Sequence, residues 1–409
     1  MSTITAVNIT ILGSASAQPS STRNHSSLAL RLDGDVWLFD CGEATQHQIQ
    51  KSSVKMGKIQ KIFITHTHGE PLPITHMHEI LKKFATLGDH IFGLLPVLAG
   101  RLNGAGGMIE GIDDPRAQAP PEDYQPLEIY GPLGTRAYVR HGLTYTHTLL
   151  GAPYVVHELR LPTDPQNGDY TELAPHAYER PGRNIAQASD GLWHDIYKDK
   201  LVAVSAAPIL HSVPCVGYVV NELPVPGKID PKKYIPELKR TKAPMSVMGR
   251  LQQGESVTLS DGTVLHGPPR KPGRKIVILG DTYDPSPIAS ISEDACVLIH
   301  EATNAHLPGI DPNTKVSDTY EIVEERARSR GHSTPQMAGA FAKRIRARKL
   351  VLNHFSARYP GDDDVDENAR RIMDRIRELA EGTFGGDVVC ARDLMSFDVG
   401  PRKDGDLMR

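Results

Sequence analysis

The chain has 409 residues, of which 39% are hydrophobic and 23% are charged, and its formal net charge is −3. This composition is typical of a globular protein that buries its own core, and it excludes a polycation that binds nucleic acid through its overall charge. The four cysteines form no CxxC pair and are expected to be reduced, mostly buried thiols. Neither a secretory signal nor an apolar run of the ~18 residues that a membrane span needs is present. We therefore expect a cytoplasmic or nuclear protein without membrane contact.

Apolar runs bounded by turn residues predict strands, and helical spacing of apolar residues predicts helices. In chain order we expect strands 7–12, 27–32 and 36–40, a helix within 41–51 with Glu43 in its first turn, strand 62–65, a strand and turn at 127–135, helix 135–142, strands 154–161, 201–206, 215–220, 275–280 and 295–299, helices 317–330 and 335–346, strand 350–352, helix 366–380 and a closing strand pair at 387–391 and 394–399. Gly- and Pro-rich segments 101–126 and 162–198 are interpreted as surface loops. This order predicts an α+β fold, a four-layered αββα sandwich that forms one domain over 1–409.

Several of the predicted strands end next to residues that commonly bind metals. These residues are His66, His68, Asp89, His90, His211, Asp281 and His354. Histidine and aspartate without cysteine suit Zn²⁺ or Mn²⁺ in an open hydrolytic site rather than a structural site. Seven ligands are too many for one tetrahedral ion, so we expect two metals that share a carboxylate, ~3.5–4 Å apart. Such a pair can orient a phosphodiester and activate water.

The sequence HTHG followed later by DH resembles the HxHxDH signature of the metallo-β-lactamase superfamily. Within it, the chain resembles the short form of ribonuclease Z, the tRNA 3′-processing endonuclease. The resemblance extends nearly from end to end and includes LFDCGEATQHQI (38–49), GDHIFGL (88–94), IYGPLG (129–134), HSVPCVGY (211–218), GRLQQGESVTL (249–259), IHEAT (299–303), GHST (331–334) and LNHFSARY (352–359).

The resemblance implies a site with two Zn²⁺ ions and a role for each ligand. One ion would be held by His66, His68 and His211, the other by Asp89, His90 and His354, with Asp281 bridging. Asp89 would also accept the proton of the attacking water. His332, oriented by Glu301, would donate a proton to the leaving 3′ oxygen.

The resemblance also implies two regions that contact RNA. Arg23 and Asn24 lie in PSSTRN, which is similar to the loop that handles the tRNA 3′ end. The basic segment 224–250 matches the tRNA-binding arm, although Lys242-Ala243-Pro244 replaces the Gly-Pro pair near its tip. Its candidate phosphate contacts are Lys228, Lys232, Lys233, Lys239, Arg240 and Lys242. The alternative for this segment is a solvated basic loop, and its prolines and weak apolar periodicity argue against a core element. A homodimer, in which one arm clamps tRNA for the partner's site, is also implied.

Residues 70–88 interrupt the metal motif. Removing them restores the uninterrupted sequence FITHTHGDHIFGLLPVLAG. One hypothesis is that the segment loops out while the ligands still converge, because closing a longer loop costs little extra free energy. The other, which we favour, is an unremoved in-frame intron, since Gly69-Glu70 can be encoded by GGT-GAG and thus contain a typical intron start.

Two functional alternatives remain open at this point. The chain could be another metallo-β-lactamase-fold hydrolase that acts on a small phosphodiester or thioester, but such an enzyme would not need the basic arm. It could also be an RNA-binding protein whose catalysis is abolished by the insertion. The second alternative predicts tRNA binding without cleavage and a low metal content.

Overall fold

The computed structural model describes residues 3–67, 88–103, 125–148 and 150–402. Within these ranges, the strands in chain order are β1 Val7–Gly13, β2 Ala15–Ser16, β3 Ser27–Leu32, β4 Asp35–Cys41, β5 Ile59–Phe63, β6 Leu127–Pro132, β7 Tyr154–Arg160, β8 Glu179–Arg180, β9 Asn184–Ala186, β10 Trp193–Lys198, β11 Val202–Ile209, β12 Cys215–Glu222, β13 Ser256–Thr258, β14 Val264–His266, β15 Lys275–Ile278, β16 Val297–Glu301, β17 Lys349–Asn353, β18 Phe355–Ser356, β19 Asp387–Cys390 and β20 Ser396–Asp398.

The helices of the same ranges are α1 Thr45–Lys51, α2 Leu94–Leu102, α3 Thr135–Tyr145, α4 Pro231–Arg240, α5 Val247–Gln252, α6 Ala289–Ser292, α7 Tyr320–Ser329, α8 Pro335–Arg344 and α9 Glu367–Phe384, with short 3-10 turns at Met56–Lys58 and Ser286–Ile288. Among them, none combines the length and the apolar character that crossing a bilayer requires.

Most of the strands belong to two large sheets. The N-terminal sheet has the order β20-β1-β3-β4-β5-β6-β7-β8, and β9 also pairs with β7. The C-terminal sheet has the order β10-β11-β12-β15-β16-β17-β19. In each sheet, antiparallel pairs give way to a parallel set, β4 to β7 in the first and β15 to β19 in the second. The ends of parallel strands lie on one edge, so the loops that follow them can meet.

Side-chain alternation along the strands builds the layers. Leu28, Leu30 and Phe39 face the cluster shared with the C-terminal sheet, whereas Ala29 and Leu38 face the cluster formed with α1, α2 and α3. Successive strand residues point to opposite faces of a sheet. Since both sets of residues are buried, both faces of the N-terminal sheet are covered. Helices α8 and α9 cover the outer face of the C-terminal sheet. The predicted αββα sandwich is therefore confirmed.

Three local expectations about the chain are wrong. The closing strands β19 and β20 do not pair with each other, because β19 adds to β17 and β20 adds to β1 in the other sheet. Glu43 lies before α1, whose N-cap is Ala44 in a left-handed conformation. The segment 162–198 is not wholly a surface loop, since it contributes β10, whose Trp193 and Ile196 are buried.

Residues between Val225 and Lys271 form a separate substructure with a narrow base. Val225 and Lys271 exchange two backbone hydrogen bonds of 2.9 Å and so close that base. Inside it, Tyr234 and Leu238 occupy one buried face of α4, four residues apart. Pro231 takes the first turn of α4, where the missing N–H has no helical partner. The expectation that this segment lacks apolar periodicity is therefore wrong, because it folds around a small core of its own.

Candidate metal centre

Six of the seven predicted metal ligands lie in the described residues and converge, four of them just beyond strand ends. His66 follows β5, His211 follows β11, Asp281 follows β15 and His354 follows β17. Asp89 and His90 precede α2. His68, like nearly all of the segment 70–88, lies outside the described residues.

One cluster is formed by Asp89, His90, Asp281 and His354, all of which are buried. The Nε2 atoms of His90 and His354 are 3.1 Å apart. Asp281 Oδ1 lies 3.1 Å from His90 Nε2 and 3.3 Å from His354 Nε2. Asp89 Oδ2 lies 3.2 Å from His354 Nε2 and also accepts a hydrogen bond from the Ala17 amide. These donor atoms surround one small volume, as metal ligands do.

The second cluster joins His66, His211 and Asp281. Asp281 Oδ2 lies 4.0 Å from the Nε2 atom of each histidine. Asp281 thus belongs to both clusters, with one carboxylate oxygen directed to each. This is the arrangement that a bridging ligand between two metal ions requires.

The interruption at 70–88 does not prevent this convergence, because each side of it is held by other strands. The Cys41 amide, at the end of β4, donates to the carbonyl of His90 over 2.7 Å, and the Gly93 amide donates to the carbonyl of Cys41. On the other side, the Val216 amide of β12 donates to the carbonyl of Thr65 over 2.8 Å. The ligand positions therefore depend on sheet contacts and not on a short link between His66 and Asp89.

The hydrogen bonds of the imidazole rings assign a proton to Nδ1 of two candidate ligands, His90 and His211. His90 Nδ1 donates to Asp40 Oδ2 over 2.6 Å, and His211 Nδ1 donates to the carbonyl of Gly331 over 2.8 Å. A side chain at Gly331 would collide with that ring, since a Cβ atom there would lie 2.5 Å from His211 Nδ1. With Nδ1 protonated, neutral imidazole presents an Nε2 lone pair to the cluster, as a metal ligand must.

The charge balance of the clusters also fits a bound cation. Burial alone would lower the pKa of His90, but Asp281, Asp40 and Asp89 raise it well above its ordinary value. Burial would raise the pKa of Asp281, yet the neighbouring His354 and His90 hold it well below its usual range. Converging lone pairs and carboxylates therefore attract positive charge, and metal ions supply it when the imidazoles are neutral. The donor set fits a metal cofactor.

Glu301 and His332 form a pair beside the two clusters. His332 Nδ1 lies 3.2 Å from Glu301 Oε1, and Glu301 also accepts hydrogen bonds from the amides of Thr282 and Ser333. Burial lowers the pKa of His332, but the charge and hydrogen bond of Glu301 outweigh it and raise the pKa to about 9. His332 is thereby kept protonated near neutral pH, and it remains partly accessible to solvent.

Sequence reasoning missed the residues that orient the ligands. Thr65 Oγ1 donates to Asp40 over 2.9 Å and lies 3.0 Å from His66 Nδ1, from which it accepts. In the same way, Thr303 Oγ1 donates to Glu301 Oε2 over 2.7 Å and lies 3.1 Å from His354 Nδ1. Asp40 and Glu301 thus each contact one histidine directly and another through a threonine hydroxyl. The available sequence signal was that both threonines and Asp40 lie at or next to strand ends.

The structure contradicts the predicted RNA contact of Arg23. Its guanidinium is buried and donates to the carbonyls of Tyr359, Pro360 and Ala391 and to the Ser14 hydroxyl. The N–H groups of Arg23 are directed into the protein, and they attach its loop to residues 359–360 and to Ala391, which follows β19. Asn24 is partly exposed and donates to the carbonyl of Glu43, so its role in RNA binding stays a prediction.

The basic residues predicted to bind RNA lie outside both ligand clusters, on the substructure closed by Val225 and Lys271. All six are exposed, namely Lys228, Lys232, Lys233, Lys239, Arg240 and Lys242. Arg240 pairs with Glu237 and Asp261, which offset its charge. The lysines on α4 lie on the face opposite to the buried Tyr234 and Leu238.

The αββα sandwich with two ligand clusters around a shared aspartate defines a metal-dependent hydrolase of the metallo-β-lactamase fold. Residues 14–72 match the family model of tRNase Z endonucleases. The chain is 35% identical over 405 residues to zinc phosphodiesterase ELAC protein 1 from Bos taurus, covering 93% of this chain and 97% of that protein. It is 32% identical over 402 residues to ribonuclease Z from Bacillus velezensis, covering 96% and 99%.

A solved structure agrees with these sequence relatives. The crystal structure of human tRNase Z, short form (ELAC1), superposes with a TM-score of 0.57 at 29% identity and covers 96% of this chain and 99% of that one. The metallo-β-lactamase fold protein YhfI from Bacillus subtilis, at 16% identity and a TM-score of 0.51, shares the fold. The chain belongs to the ribonuclease Z family.

Proposed function

We propose that this protein is a zinc-dependent endoribonuclease that removes the 3′ trailer from precursor tRNA. The observation that carries the proposal is the convergence of two ligand clusters on Asp281, next to the Glu301–His332 pair, in a chain of this family. The fold alone would leave other hydrolases open. A protonated histidine held by a buried carboxylate adds a general acid, which an alkoxide leaving group requires.

The ligand roles follow from the clusters. His66, His211 and Asp281 would hold one zinc ion, with His68 as the further ligand that the resemblance implies. Asp89, His90, His354 and Asp281 would hold the other. When bound, the ions would supply Lewis acidity toward the phosphate and lower the pKa of water.

The remaining chemistry is proton transfer by side chains. The Asp89 carboxylate would accept a proton from the attacking water. Burial raises its pKa, but His90 and His354 outweigh burial and hold the pKa below its usual range, so the group is ionised and free of its own proton. The His332 imidazolium donates a proton to the 3′ oxygen as the phosphodiester breaks. Glu301 holds that imidazolium by a 3.2 Å hydrogen bond. The products are a tRNA with a 3′ hydroxyl and a trailer with a 5′ phosphate.

The basic substructure supplies binding rather than chemistry. Its exposed lysines contact phosphates of the tRNA, and its base at Val225 and Lys271 carries it as an arm on the sandwich. A homodimer, with each arm serving the partner's site, remains part of the proposal. The protein acts where tRNA precursors are matured, in the nucleus or cytoplasm, a placement with which its four free thiols agree.

The test is cleavage of a precursor tRNA with a 3′ trailer by the zinc-loaded protein, with Asp281→Ala as the inactive control. We expect one cut at the trailer junction, with a 3′ hydroxyl on the tRNA, and none by the variant. Hydrolysis of bis-p-nitrophenyl phosphate without precursor cleavage would show another phosphodiesterase. Binding of the precursor without any hydrolysis would show an inactive tRNA-binding protein.

A further inference from the structure

A cavity of about 570 Å³ opens next to the metal centre, on the side of His211. Its walls come from the loop after β6, the segment after β7 and residues 208–216, which connect β11 to β12. Thr67, one residue beyond the ligand His66, also lines it. The Thr67 hydroxyl lies 3.4 Å from the carbonyl of Leu133 and links the cavity wall to the ligand segment. The cavity therefore reaches the candidate metal centre, where the proposed function requires the phosphodiester to bind.

The cavity walls are mainly apolar and include an aromatic ring that solvent reaches. Leu133, Leu161 and Val213 contribute aliphatic surface, and Tyr170 and Leu210 are 43% and 42% exposed. A concave surface lined mainly by apolar and aromatic side chains with a few polar groups is typical of a ligand site. Among the described residues of the wall, Asp164 is the one with a formal charge apart from the histidine, and it is negative.

The sign of that charge and the nature of the walls identify the type of occupant. An anionic wall next to apolar surface disfavours a phosphate group, which the arm and the metal centre accept elsewhere. A nucleobase has apolar faces that stack on tyrosine, and the amino groups on its edges donate hydrogen bonds that a carboxylate can accept. Asp164 already accepts from the Leu161 amide through Oδ2, which leaves Oδ1 as the acceptor for such a group.

We propose that this cavity binds an unpaired nucleobase of the RNA next to the scissile phosphate, stacked on Tyr170. The inference rests on the proposed function. It adds a specificity site that selects precursors with an unpaired nucleotide at the cut. That nucleotide comes either from the tRNA side, as the last residue before the cut, or from the trailer side, as the first residue after it.

The experiment uses precursors that carry a single abasic nucleotide on the tRNA side or on the trailer side of the cut. We expect the wild-type protein to lose about tenfold in kcat/KM for the abasic precursor whose base occupies the cavity, since stacking on one ring is worth ~1–3 kcal/mol. The other abasic precursor should react like the intact one. The comparison therefore also tells which side supplies the base.

Variants assign the effect to the cavity. Tyr170→Ala should react with intact and abasic precursors within about twofold of each other, whereas Tyr170→Phe should keep the tenfold discrimination because it retains the ring. Tyr145→Ala removes a tyrosine that is 88% exposed and does not line the cavity, so it should discriminate like the wild type. Metal content and thermal melting of each variant establish that it is folded.

The outcomes separate the two proposals. If the wild-type protein cleaves the intact precursor and both abasic precursors equally well, the cavity does not bind a base and this inference fails alone. The same conclusion follows if Tyr170→Ala keeps the full discrimination. If the wild-type protein cleaves no precursor, the proposed function fails first.

Discussion

Asp40 Oδ2 lies 2.6 Å from His90 Nδ1, and the same carboxylate orients His66 through the hydroxyl of Thr65. One buried side chain therefore positions a candidate ligand in each of the two clusters. The corresponding relation of Glu301 to His332 and, through Thr303, to His354 repeats this pattern in the second half of the chain. The two carboxylates set the tautomers and ring directions on which metal binding depends.

Asp40→Asn should weaken metal binding by about 10–100-fold, because an amide cannot accept all three hydrogen bonds that the carboxylate accepts. Asparagine tolerates the left-handed backbone at this position, φ 60°, so the fold should persist. Zinc affinity by chelator competition and the visible spectrum of the Co²⁺ form measure the change. Asp33→Asn, also in a left-handed position but exposed, is the control. Unchanged affinity in Asp40→Asn would contradict the role of Asp40.

His332→Ala should lower kcat on precursor tRNA by about 10²–10⁴-fold while zinc content stays the same. The loss should be much smaller on bis-p-nitrophenyl phosphate, because p-nitrophenolate leaves without a proton. Glu301→Gln should act in the same direction, since it removes the charge that raises the pKa of His332. The exposed His194→Ala is the control. Loss of zinc from His332→Ala would instead make His332 a ligand, as its contacts with Glu301 and His354 would allow.

Arg23→Lys should destabilise the protein by about 2–4 kcal/mol, because one ammonium group cannot replace all the hydrogen bonds that the guanidinium donates to three carbonyls and a hydroxyl. The lost stacking on Phe355, whose ring centre lies 4.5 Å from the guanidinium carbon, adds to the effect. Urea denaturation measures the free energy of unfolding, with the half-exposed Arg375→Lys as control. A variant of native stability with weakened RNA binding would restore the original prediction for Arg23.

Lys232→Gln with Lys233→Gln should weaken precursor binding and reduce the salt dependence of the binding constant. Each phosphate contact that is lost lowers the slope of log K against log salt by about 0.7–0.9. Filter binding at several salt concentrations measures both quantities. The pair Lys198→Gln with Lys200→Gln, which lies outside the basic substructure, is the control. Equal slopes for the two double variants would contradict a role of the arm in phosphate binding.

Removal of residues 70–88 distinguishes the two hypotheses for the interruption. If the segment is an unremoved intron, the shortened chain should bind two equivalents of zinc and cleave precursor tRNA faster than the chain as written. Zinc analysis and single-turnover cleavage compare the two proteins. Sequencing of the transcript across codons 60–95 tests the same point. Main transcripts that retain the segment would contradict the intron hypothesis, and equal activity of the two proteins would establish a loop that the anchored ligands tolerate.

The sequence by itself determined the sandwich and most strand positions, and it predicted the candidate ligands, because these depend on local patterns. Apolar alternation defines strands, and residues that follow parallel strands lie at the same edge of a sheet. Residues 349–354 illustrate this, since a buried strand leads directly to His354 in the cluster. The motifs IHEAT and GHST also predicted that Glu301 pairs with His332. The 3.2 Å contact between Glu301 Oε1 and His332 Nδ1 agrees with that prediction.

Tertiary structure alone decided features that depend on partners distant in sequence. Arg23 looked like an exposed loop residue, but contacts more than 300 residues away bury it. Asp40 became the orienting group for His90 because β4 holds the His90 backbone across the interruption. Tyr234 packs with Leu251 and Val257 in a small core, and these residues are brought together by the chain between Val225 and Lys271. Burial and hydrogen-bond partners are properties of the assembled chain, so local sequence patterns do not reveal them.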